Sequence, residues 1–177
     1  MQVRLDQVRE APLQWDGTEV VAAEEVEHPD LQALSPVRWR GEIRFVDPGY
    51  LLTANYSYQQ TLTCQRCHEP LTEPVEQEMQ LLLVPGAPAE EPGEHALDAE
   101  DLGVVEVDVE EDLDLRPLLI EQIQLNVPMK PLCRATCKGL CPQCGKDLNQ
   151  GDCDCEKVEI DPRWEALKVL QERKKSQ

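Results

Sequence analysis

The sequence predicts an α+β protein: an antiparallel β-sheet over about 37–110, a helix near 114–126, then a small cysteine-rich zinc-binding block with a terminal helix. Three observations predict it. Residues 37–83 alternate apolar and polar side chains, the two-residue period of strands that bury one face. Leu115, Leu118, Leu119 and Ile123 then form the stripe of a helix packed on one side. Finally, six of the eight cysteines fall between Cys133 and Cys155.

The elements follow in order. Val3 and Leu5 suggest a short strand, Trp15-Asp-Gly-Thr18 a turn, and 19–36 an acidic connection holding a short helix. Val37, Trp39, Gly41, Ile43 and Phe45 alternate with Arg38, Arg40, Glu42 and Arg44. Asp47-Pro48-Gly49 is a turn signal. A second strand puts Tyr50, Leu52, Ala54, Tyr56, Tyr58 and Leu62 on one face, and a third puts Val75, Met79, Leu81 and Leu83 there, with Glu76 and Glu78 outward. Residues 86–101, with Pro88, Pro92, several acids and neither lysine nor arginine, read as an acidic loop. Val105, Val107 and Val109 make one more strand. Asp114 is a good N-cap for the helix, with Pro117 tolerated in its first turn. Pro128 and Pro131 end it. Asp161-Pro162 opens the terminal helix, striped by Trp164, Leu167 and Leu170 and closed by Arg173, Lys174 and Lys175.

This divides the chain into a β-rich domain, 1–126, that carries the acidic loop and the 114–126 helix, and a zinc-binding region, 127–177. The alternation leaves the strand order open, and the sheet either stays open or curls into a barrel.

The formal net charge is −18, unevenly spread. Residues 1–85 carry 14 acids and 6 bases, 86–126 carry 13 and 1, and 127–177 carry 8 and 10. Such a surface repels phosphate backbones and favours a basic protein partner. Direct RNA contact is left to the C-terminal region, through Arg134, Lys138, Lys146 and the basic end. The sequence shows no secretory signal and no membrane-length apolar run, so a cytoplasmic protein is expected.

Reducing conditions there favour zinc over disulfides. Eight thiols make two four-ligand sites. Cys141-Pro-Gln-Cys144-Gly is a strong half-site and pairs with Cys153 and Cys155. Cys64-Gln-Arg-Cys67, at the tip of a hairpin, pairs with Cys133 and Cys137, whose spacing suits one helical turn. Cys137 could instead serve the Cys141 site and leave a thiol spare, so one or two structural zinc ions are expected. An iron–sulfur cluster would use the same ligands. His68 directly follows a cysteine already spaced as a ligand and reads as a surface residue.

Neither site looks catalytic, because all-thiolate sets leave no open position for water. The chain has no phosphate-binding glycine loop, no HExxH and only 3 histidines. No enzymatic activity and no small-molecule substrate are expected.

Thr63-Cys64-Gln-Arg-Cys67 with Pro70, Leu125-Asn-Val-Pro128-Met-Lys-Pro131-Leu-Cys133, Cys137-Lys-Gly-Leu-Cys141-Pro-Gln-Cys144-Gly, and Leu148-Asn149 before Cys153-Asp-Cys155 together resemble the YceD-like family of large ribosomal RNA subunit accumulation proteins. The resemblance covers roughly residues 37–170. It departs at His68, where an apolar residue is more usual, and residues 1–36 match only loosely. It implies a bacterial cytosolic factor needed for normal levels of large-subunit ribosomal RNA, with no known enzymatic activity. The partner so implied is a ribosomal protein or another ribosome-assembly factor. Some members keep the central cysteine pair and lack the C-terminal cluster, which implies that the C-terminal zinc is a stabilising addition.

Overall fold

A computed structural model describes residues 1–86, 103–108, 111–155 and 163. The acidic loop beyond Gly86, Val109, and the terminal helix with its basic end lie outside the described residues. The chain forms two compact units, Met1–Cys137 and Lys138–Gln177. Helix and first cysteine pair of the C-terminal half, up to Cys137, thus stay with the β-rich unit.

That unit is organised by a long hairpin. Strand β4 (Val37–Val46), β5 (Gly49–Thr63) and β6 (Pro70–Pro85) follow β1 (Gln2–Val3), a one-turn helix α1 (Leu5–Val8), β2 (Leu13–Glu19), a 3-10 turn at Ala23–Glu25, and β3 (Leu31–Leu34). β5 and β6 pair continuously from Tyr50↔Leu83 to Thr63↔Pro70. On the other edge of β5, β4 pairs from Gly49 to Ser57 and β3 from Gln60 to Leu62. Between β3 and β4 the chain passes through Ser35 and Pro36. The Ser35 amide donates to the Gln59 carbonyl and its hydroxyl accepts from the Gln59 amide, both at 2.9 Å. The serine hydroxyl thus takes the acceptor place opposite the Gln59 amide, and Pro36, which has no amide, follows where the chain passes from β3 to β4.

Two features of the sheet depart from expectation, and a third decides between the open sheet and the barrel that the sequence left as alternatives. The sheet begins earlier: Leu13–Glu19 is a strand paired with β4 where a turn was expected, and Leu31–Leu34 is a strand inside the supposed acidic connection. It is not purely antiparallel, because β7 (Val104–Val107) lies parallel to Leu82–Pro85 of β6. And it is open: among the described residues β2 and β7, at its two ends, do not pair with each other, so no barrel closes. Pro70 and Pro74 are tolerated in β6 because that half of the strand has no further described neighbour needing their amides.

The alternation foretells the buried face closely. Val37, Trp39, Ile43, Leu52, Ala54, Tyr56, Tyr58, Leu62, Met79 and Leu83 are buried, although Phe45, expected inside, is exposed and packs edge-on to Tyr50 with Arg9 over its ring. Strand β8 (Leu113–Asp114) pairs with β1 and leads into α2 (Leu115–Asn126). The Asp114 carboxylate accepts from the Arg116 amide at 3.1 Å, the cap expected there. Leu115, Leu118, Leu119 and Ile123 of α2 join the sheet's apolar face in one core. Among the described residues no helix is long and apolar enough to cross a membrane.

Candidate metal centres

The β5–β6 hairpin ends in Cys64-Gln-Arg-Cys67-His68-Glu69. Its geometry is set by backbone bonds: the His68 amide donates to the Cys64 carbonyl at 2.9 Å, and the Cys64 amide to the Glu69 carbonyl at 3.0 Å. His68 takes a positive φ of 59°, which turns the chain back under the sulfurs. The strand pairing flanks this loop at Thr63↔Pro70.

The second unit repeats this loop. In Cys141-Pro-Gln-Cys144-Gly145-Lys146 the Gly145 amide donates to the Cys141 carbonyl at 2.9 Å, and the Cys141 amide to the Lys146 carbonyl at 2.8 Å. Gly145 has a φ of 72°, and the flanking bridge is Leu140↔Asp147. Two stretches with only their cysteines in common thus fold into one turn.

Each turn meets a second pair of thiols. Cys64, Cys67, Cys133 and Cys137 form one group, and Cys141, Cys144, Cys153 and Cys155 the other. Within each group all sulfurs lie within 4.8 Å of one another. Cys64 and Cys137 are 3.9 Å apart and Cys67 and Cys133 3.6 Å. A tetrahedral ion with zinc–sulfur bonds of about 2.3 Å needs sulfurs about 3.8 Å apart, so the first group fits one. His68 belongs to neither group.

The electrostatics favour thiolates at the head of each turn. Burial raises the Cys64 thiol, but the amides of Cys133, Cys67 and Arg66 donate to its sulfur and outweigh burial, holding it down to about 6. The amides of Cys144 and Gln143 do the same for Cys141, also down to about 6. For Cys67 the Glu69 amide favours the thiolate, but burial and the Cys64, Cys133 and Cys137 sulfurs push it up to about 12. The Cys144 sulfur, together with burial and its other neighbours, pushes Cys155 up to about 12. Four thiolates cannot share so small a space without a cation. A bound metal ion removes that repulsion.

The cysteine spacing did not reveal what aligns the second pair of thiols with the first turn. The Gln65 amide donates to the Pro131 carbonyl at 3.0 Å, and its side chain donates to the Asp30 carboxylate at 2.9 Å. Arg66 donates to the Cys137 carbonyl at 2.7 Å. The two residues inside the C-x-x-C thereby strap segment 131–137 onto the hairpin tip. In the second unit the Lys138 amide donates to Asn149 Oδ1 at 2.8 Å and Lys146 Nζ to the Asp152 carbonyl at 2.6 Å. For Gln65 and Arg66 the one signal was their position between two ligands, while Lys138, Lys146 and Asn149 stood out in the sequence for charge or family resemblance and not for this strapping.

Residues 52–171 match the family described as large ribosomal RNA subunit accumulation protein YceD. The chain belongs to the YceD family. An uncharacterized protein of Mycobacterium tuberculosis is 32% identical over 126 residues, 71% of this chain and 57% of its own length. The match thus spans little more than half of that mycobacterial relative. Protein YlbN of Bacillus subtilis, also uncharacterized, is 29% identical over 80% of this chain and 77% of its own. The chloroplastic large ribosomal RNA subunit accumulation protein YCED homolog 1 of Arabidopsis thaliana is 28% identical over 64% of this chain and 41% of its own. No solved structure matches this YceD-family chain.

Proposed function

We propose that this YceD-family protein is a non-enzymatic cytoplasmic factor that supports large-subunit ribosomal RNA accumulation, carries two structural zinc ions, and acts by binding a basic ribosomal protein or assembly factor. The observation that carries the reading is the pair of all-cysteine foursomes in a chain whose family is described by large-subunit RNA accumulation. Cys64, Cys67, Cys133 and Cys137 hold one ion, and Cys141, Cys144, Cys153 and Cys155 the other. Four thiolates saturate a tetrahedral ion, so its chemistry is to neutralise them and fix the loops that carry them. The charge of −18 supports a basic partner over naked RNA.

A second reading, direct RNA binding through the C-terminal region, is favoured by Arg134, Lys138 and Lys146, all exposed. A 127–177 fragment would cut Cys133 and Cys137 from Cys64 and Cys67, so the readings are separated with the full chain carrying charge reversals at these three positions.

The function is tested by depleting the protein and measuring the ratio of large- to small-subunit ribosomal RNA, with rescue by wild type and by Cys64→Ser. A fall in the ratio that wild type restores and Cys64→Ser restores poorly supports the reading. An unchanged ratio on depletion overturns it.

A further inference from the structure

We propose that the solvent face of the sheet carries a two-walled trough that takes an extended peptide segment of alternating basic and acidic side chains. The proposal deepens the partner reading above by naming the contact.

The alternation that buries Val37, Trp39 and Tyr56 puts their neighbours on the opposite face. Register aligns these neighbours in rows across three strands: Arg38 beside Ser57 beside Glu76, and Arg40 beside Asn55 beside Glu78. A cavity of about 560 Å³ opens along them. One wall, on β4, is basic. The other, on β6, is acidic, and the floor between them on β5 is neutral and polar. Adjacent strands lie about 4.8 Å apart, so the walls stand roughly 10 Å apart, the width of one extended chain. Among the described residues Arg38, Arg40, Glu76 and Glu78 are exposed and form no ion pair with one another or with any other side chain.

The spacing selects the occupant. Each wall presents its charges two residues apart along a strand, roughly 6.7 Å. An extended chain standing edge-on to the floor points odd side chains at one wall and even ones at the other, with the same repeat. Acidic side chains then meet Arg38 and Arg40 while the intervening basic ones meet Glu76 and Glu78. Other occupants fit worse. RNA would set phosphates against Glu76, Glu78 and Asp16, the last on β2 opposite Arg40 in the strand register. A uniformly basic tail would meet two arginines. A second copy would bring one concave face against another.

The test uses the full-length, metal-loaded protein and three labelled ten-residue peptides: alternating lysine and glutamate, the same residues in two blocks, and lysine alone. Fluorescence anisotropy at low salt is expected to show the alternating peptide binding at least about tenfold tighter than the blocked one. Arg38→Glu with Arg40→Glu makes both walls acidic and shifts the preference to the all-lysine peptide. Combining these with Glu76→Lys and Glu78→Lys exchanges the walls and restores the alternating preference. Equal affinity for alternating and blocked peptides overturns the proposal, as does a preference that charge reversal leaves untouched. Sedimentation showing a dimer that the double reversal dissociates also overturns it, because a second copy then fills the trough. The depletion assay is independent of this outcome: a protein that restores ribosomal RNA while failing the peptide test keeps the proposed function and loses the trough.

Discussion

His68 and Gly145 hold the same place in two copies of one turn. Each follows the second cysteine, each has a positive φ, and each donates its amide to the first cysteine's carbonyl at 2.9 Å. A non-glycine residue there costs about 1 kcal/mol or more, and histidine is among the better tolerated. His68→Gly is therefore expected to leave stability within about 0.5 kcal/mol, while His68→Val lowers it by about 1–2 kcal/mol. Neither changes the metal content measured by native mass spectrometry. A lost ion in His68→Gly would make this histidine a ligand.

The two metal groups differ in what they hold together, so their variants should differ too. Cys64→Ser is expected to lose one of two bound ions and to lower the thermal midpoint by roughly 10 °C, since the hairpin tip and segment 131–137 come apart. Cys153→Ser should also lose one ion while amide exchange in β4, β5 and β6 stays slow. Metal analysis of both, with hydrogen exchange, checks this. Exchange in β5 accelerated by Cys153→Ser would contradict the assignment.

Gly41 lies where Trp15 crosses β4. A Cβ there would meet the Thr53 carbonyl oxygen and Trp15 Cζ2, both at 2.5 Å. The carbonyl belongs to the β5 backbone, so the added methyl strains the β4–β5 pairing and also pushes Trp15 from its edge-on contact with Trp39, whose ring centroid is 5.1 Å away. Gly41→Ala is expected to cost about 2 kcal/mol in urea unfolding and to shift tryptophan emission to longer wavelength.

Acid should weaken one charge cluster at a defined pH. The Arg116 guanidinium, at 2.6 and 3.1 Å, holds the Glu25 carboxyl down to about 2 from 4.5, helped by the Ala22 amide. A depressed pKa contributes stability above the unfolded value, which is lost as pH falls from about 4.5 toward 2. The stability difference between wild type and Glu25→Gln, followed by chemical denaturation, should be constant near neutrality, shrink below pH 4.5 and vanish near 2. A difference independent of pH would mean that Glu25 acts through shape alone.

Strands with one buried face were legible because burial imposes a period: β4, β5, β6 and the Asp114-capped α2 stand out for that reason. β2 and β3 did not. Leu13-Gln-Trp-Asp-Gly-Thr-Glu is exposed or half-buried at every position, so no apolar period develops, and Asp-Gly imitates a turn. Gly41 makes room for Trp15 from another strand, a relation that no local pattern encodes. The parallel pairing of β7 was equally hidden, since Val104–Val107 alternates in the same way beside either neighbour orientation. At the sites, cysteine spacing suggested which thiols could meet, whereas the strapping by Gln65 and Arg66 depends on where Pro131 and Cys137 arrive in space.

The two metal groups also differ in timing. Cys141 to Cys155 emerge together during synthesis, and that group can close as soon as they do. Cys64 must wait for Cys137, 73 residues later, while the partly made sheet keeps its hairpin tip open. By then β6, β7 and α2 have all been made, and the thiols converge only if those elements are in register. A metal ion held by the first group would therefore join segments whose approach depends on the whole β-rich unit, whereas one held by the second group would join only neighbours in sequence.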